Sequence, residues 1–122
     1  MPQYMLLIYG PQGGGPQTPD ELAAQHDAWM RVTQEMMEAG VHAGGNALEA
    51  IDTATTVRVR GGETVVSDGP FADTKELLGG YYILDVPDLD SALSWAARLP
   101  NVGYGSVEVR PVMVLADMPT AS

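Results

Sequence analysis

The sequence contains no cysteine in its 122 residues. Disulfides, thiol nucleophiles and cysteine-ligated metals are therefore excluded. Basic residues are scarce, six Lys and Arg against 16 Asp and Glu, for a net charge of −10. Six cations cannot make the extended positive face that phosphate-backbone binding requires. An anionic membrane surface is disfavoured for the same reason. The apolar run Met5 to Tyr9 has no basic segment before it and is far too short for a signal core or a membrane span. The expectation is a cytoplasmic protein that binds neither nucleic acid nor membrane. The strong acidity fits solubility.

Apolar residues make up 45% of the chain, enough to bury a core in one domain. We expect that domain over residues 3–115, with a frayed tail over 116–122. Tyr4 to Tyr9 is continuously apolar and stops at Gly10-Pro11, which reads as a buried strand. After a Gly/Pro loop, Thr18-Pro19-Asp20-Glu21 is a helix start with an N-cap, a first-turn proline and a capping box. The helix is expected to run to Ala39 and stop at Gly40. Leu22, His26, Trp29, Met30, Thr33, Met36 and Met37 share one helical face, and Met30, Met36 and Met37 read as core filling.

Val41 to Leu48 is a short extended piece. Thr55 to Arg60 and Glu63 to Ser67 form a hairpin across Gly61-Gly62. Asp68 to Phe71 is a turn, and Asp73 to Leu78 reads as a short helical turn closed by Gly79-Gly80. Tyr81 to Val86 is a strand, Leu89 to Leu99 a second helix, and Ser106 to Leu115 the last strand. The order is β-α-β, a hairpin, then β-α-β. That is a ferredoxin-like split βαβ of the α+β class, with two helices on one face of an antiparallel sheet. Three strands read as apolar on both faces, so a second copy packed sheet to sheet is the expected cover.

Asp68-Gly69-Pro70-Phe71, with Lys75-Glu76 and Gly79-Gly80-Tyr81-Tyr82 after it, resembles the signature of DGPF-domain proteins, a branch of the YCII-related family. The opening YMLLIY, the run Ala54 to Arg60, Ala92 to Ala97 around Trp95, and Val107 to Val112 resemble it too. The resemblance spans nearly the whole chain. It implies a homodimeric α+β barrel with ferredoxin-like halves, similar in fold to muconolactone isomerases. It also implies a His/Asp pair acting on a small molecule, or association with an extracytoplasmic-function sigma factor.

His26 is the leading candidate for acid–base chemistry, because an imidazole held near a carboxylate titrates near neutral pH. It resembles the helical histidine of YCII-like proteins; the alternative is a packed helix residue. The family's aspartate follows the second helix, where this chain has Leu99-Pro100-Asn101. Asp68 is then the acid expected to pair with His26, or else a turn cap. Arg58, Lys75, Glu76 and Phe71 are candidate substrate contacts. Arg58 and Arg60 share a strand face and, with Arg110, could gather around an anion; edge protection or ion pairing is the competing reading. Phe71 could equally anchor its loop, and Lys75-Glu76 could be a solvated pair. His42 has no metal-ligand spacing with His26 or a carboxylate pair, and Gly13-Gly14-Gly15 lacks the lysine of a phosphate loop. No metal or cofactor is expected. The expected function is cofactor-independent proton transfer on a small metabolite in a pocket between the first helix and the sheet. The alternative is a non-catalytic dimeric binding or regulatory module.

Overall fold

The computed structural model describes residues 1–11, 14–70 and 75–115. In chain order the elements are β1 (Gln3–Pro11), α1 (Pro19–Glu38), β2 (His42–Ala47), a 3-10 turn (Ile51–Thr53), β3 (Thr55–Arg60), β4 (Glu63–Asp68), β5 (Glu76–Asp85), α2 (Leu89–Ala96) and β6 (Ser106–Pro111). Four strands form an antiparallel sheet in the order β2-β5-β1-β6. This is the ferredoxin-like order, with β3 and β4 inserted as a separate two-stranded hairpin. Both helices pack on one face of the four-stranded sheet.

Alternation decides which side chains meet the helices. Leu6 on β1 and Tyr82 and Leu84 on β5 point inward and are buried with Val86, just past the end of β5. They close the core with Val32 and Met36 of α1, Ala92 and Ala96 of α2, and Leu99. Tyr4, Ile8, Val107 and Val109 pack against that core. On the outer face the register sets Met5 beside Ile83 and Leu7 beside Tyr81. β6 departs from the expectation of a doubly apolar strand. Its outward positions, Ser106, Glu108 and Arg110, are polar and exposed. It also stops at Pro111, well before Leu115.

Two further expectations are corrected. Residues Glu76 to Leu78 are strand, not a helical turn, because they pair with Pro11, Gly10 and Tyr9 of β1. A bulge at Gly79 absorbs the extra residue, so the glycine pair that reads as a stop lies inside β5. Asp73 and Thr74, where that turn was expected to begin, fall outside the described residues, as do Phe71 and the expected tail 116–122. α2 ends at Ala96 rather than Leu99, and the chain then turns down to Asn101. Arg98 there pairs with Glu35 of α1 and lies 4.5 Å from the Trp95 ring centroid, which ties the two helices at that end.

The first helix starts where the sequence places it. Thr18 accepts from the Glu21 amide and Glu21 accepts from the Thr18 amide, a complete capping box. Gly40, at φ +73°, ends it. The hairpin base is closed by Gly69, whose amide donates to the Ala54 carbonyl at 2.7 Å and whose carbonyl accepts from the Thr56 hydroxyl at 2.8 Å. Gly69 holds φ +100°, a backbone angle that suits glycine alone.

The capping box carries a pH signature. Hydrogen bonds from Thr18 hold the Glu21 carboxyl below its ordinary value of 4.5. A depressed folded-state value adds stability that is present above the unfolded value and is lost as pH falls through the folded one. Glu21→Gln should therefore lower the melting temperature at pH 7, and the difference should shrink as pH falls below 4.5 through the lower folded-state value. Thermal melts across that range check it; a difference that does not vary with pH would refute the charged cap.

Candidate functional site

A cleft of about 870 Å³ opens between α1 and the β2–β5 side of the sheet. Its origin is the size of the residues beneath the helix. The inward positions there include Gly45 and Ala47 of β2 and Gly80 of β5. Gly45 cannot take a larger side chain: a Cβ there would sit 2.7 Å from the Tyr81 carbonyl oxygen and 3.1 Å from the Tyr82 ring. Small residues leave a trough that α1 bridges without filling. This also corrects the reading of the methionines. Only Met36 is buried, whereas Met30 and Met37 are 59% and 58% exposed and line the cleft.

Tyr82 stands in the middle of the trough and is held from three sides. The Trp29 ring lies 6.3 Å away at 26°, and the His42 ring 6.0 Å away and nearly perpendicular. Its hydroxyl oxygen is 2.6 Å from Thr33 Oγ1, which itself donates to the Trp29 carbonyl at 2.8 Å. At one end of the cleft Gln25 of α1 donates to the Tyr104 hydroxyl and ties the loop after α2 to the helix.

Asn101 lines the same end and is only 3% exposed. Its side-chain amide donates to the carbonyls of Tyr9 and Ser106, each at 3.0 Å, clipping the end of the β1–β6 pair. Among the described residues its Oδ1 has no hydrogen-bond partner. The two carbonyls require two N–H donors, which an amide supplies and a carboxylate does not.

The expected site residues separate. His26 is exposed on α1 and lines the cleft. Asp68 ends β4 and is not among the cleft residues; Glu49 is the one carboxylate that is, among the described residues. Arg58 and Arg60 lie in β3, opposite Val65 and Glu63, while Arg110 lies on the outer face of β6 beside Met5. Lys75 is exposed just ahead of β5. Glu76, at the start of β5, accepts from the Ser106 hydroxyl. None of these five lines the cleft. Phe71 lies outside the described residues. The sequence reading missed Thr33 and Tyr82 as a pair, along with Asn101 and Tyr104. The signal for Thr33 was its place four residues after Trp29 on the helix face; nothing local marks the others.

Asn101→Asp should destabilise the fold by about 3 kcal/mol or more near neutral pH, because it removes two buried donors and sets a carboxylate against two carbonyls. The penalty should lessen in acid as the new carboxyl protonates and regains a donor. Urea unfolding at two pH values measures it, and an unchanged midpoint would show that the clip carries no load.

The family model described as "YCII-related domain" matches residues 2–116. An uncharacterised protein of Rhizobium meliloti (strain 1021) is 45% identical over 83 residues, which cover 66% of this chain and 67% of that one. With the ferredoxin-like strand order and a match over nearly its whole length, the chain belongs to the YCII-related domain family.

Proposed function

We propose that this protein binds a small, largely apolar molecule in the cleft between α1 and the sheet, and that it does so as a homodimer. The observation that carries the reading is the cleft itself. It is a concave site of ligand size, floored by glycines that keep it open and walled by Trp29, Met30 and Tyr82, with polar side chains such as Thr33, Asn46, Asn101 and Tyr104 set into an otherwise apolar lining. Exposed methionines on its wall suit a surface that adapts to its ligand.

A second reading, acid–base catalysis, draws on His26, which lies on the cleft wall where an imidazole could exchange a proton with a bound molecule. Its expected partner Asp68 sits on the hairpin, away from the cleft lining. Binding is therefore the reading that the geometry favours, and proton transfer by His26 is a function added to it.

Indole is a suitable neutral probe. Titrated against the protein, it should move the amide NMR signals of Thr33, Gly45, Gly80 and Tyr82 saturably. Ala47→Trp, which fills the trough from an exposed inward position, should abolish the shifts. Shifts elsewhere, no shifts, or indifference to Ala47→Trp would overturn the reading.

The dimer rests on the outer face, where the cross-strand pairs Met5–Ile83 and Leu7–Tyr81 form an apolar centre beside the polar edge of β6. Sedimentation at micromolar concentration should give a dimer, and Leu7→Glu should give a folded monomer. A wild-type monomer would remove the second copy from the proposal.

A further inference from the structure

The hydroxyl chain across the cleft has a direction. Thr33 has one hydroxyl proton, and its Oγ1 lies 2.8 Å from the Trp29 carbonyl, which can only accept. Its proton is committed there, the usual bond from a helical threonine to the carbonyl four residues back. The 2.6 Å contact between Thr33 Oγ1 and the Tyr82 hydroxyl must then use the tyrosine's own proton. Stacking on Trp29 and edge contact with His42 hold the ring, so the hydroxyl cannot turn away. Tyr82 lines the cleft, and with its proton given to Thr33 its hydroxyl oxygen keeps a free lone pair and no proton to give.

Charge narrows the ligand further. Among the described residues the cleft lining contains no Lys or Arg, and its ionisable side chains include His26, His42 and Glu49. The whole chain is at −10. An anion would enter against that field with no guanidinium or ammonium to receive it.

Resting on the reading of the cleft as a binding site, we infer that its ligand is an uncharged, ring-containing compound with an O–H or N–H donor, and that Tyr82, through its hydroxyl oxygen, is the residue that selects the donor. Thr33 is the positioning residue, because it sets which way the Tyr82 proton points.

Indole, 1-methylindole and indole-3-carboxylate separate the possibilities in NMR titrations of the full chain. Indole should bind wild type about ten-fold more tightly than 1-methylindole, the worth of one net hydrogen bond. Indole-3-carboxylate should bind more weakly than indole. Tyr82→Phe keeps the ring and should bring the indole to 1-methylindole ratio close to one. Thr33→Val releases the Tyr82 proton, so the ratio should stay above one and Tyr82 should gain the power to donate. Benzofuran, an acceptor without a donor, should therefore bind Thr33→Val several-fold more tightly than wild type. That gain is a readout that loss of stability would not produce, and it keeps the test decisive if Tyr82→Phe fails to fold. Equal binding of indole and 1-methylindole to wild type, or a ratio that survives Tyr82→Phe, would overturn the inference while leaving the cleft as a binding site. Absence of binding by every probe would instead overturn the binding site, and the inference with it.

Discussion

The position of the Tyr82 ring governs how α1 meets the sheet. Tyr82 is a large inward side chain that pairs with Gly45 on β2 and has Gly80 on one side of it and Leu84 on the other along β5. It reaches the helix through Trp29 and Thr33. One aromatic post among glycines keeps the helix at a distance that the neighbouring residues do not fill. On its other side the same ring joins Leu6, Leu84, Val32 and Met36, and there the core closes. The cleft and the core are therefore two ends of one layer, separated by where side-chain volume runs out.

The far end of the cleft depends on a polar clip. Asn101 holds the ends of β1 and β6 together, and Gln25 holds Tyr104 to α1. A buried amide bonded to two carbonyls has its geometry set by those bonds, since its donors cannot be exchanged for acceptors. The loop after α2 thus gains a fixed path without regular structure, and the end wall of the cleft is built from it.

Much of the fold was legible in local chemistry. The capping box at Thr18 and Glu21, the glycine stop at Gly40 and the Gly61-Gly62 hairpin turn each act within a few residues, so the sequence shows them directly. The strand order followed from the βαβ pattern. What was hidden depends on partners far along the chain. Gly79-Gly80 has the composition of a stop, but pairing with β1 on one side and β2 on the other carries the strand through it. Met30 and Met37 have the spacing of core residues, but the floor beneath them is glycine, which periodicity along α1 cannot report. His26 was legible as a residue facing the sheet side. Asp68 was legible as a turn residue, but not the separation of its hairpin from the main sheet.

The turn after α2 bears on chemistry as well as on shape. Resemblance to the family implies an acid there, and this chain has Asn101. Its surroundings leave no room for the ionised acid, because two carbonyl oxygens 3.0 Å away would face a carboxylate with nothing to share between them. Proton transfer in this cleft therefore cannot be organised from that turn. Beside the exposed His26, the cleft lining holds His42 and Glu49 and the fixed polar groups of Tyr82, Asn101 and Tyr104. Neutral contacts fixed by their own hydrogen bonds, on Tyr82, Asn101 and Tyr104, suit a site that holds a ligand in a defined orientation.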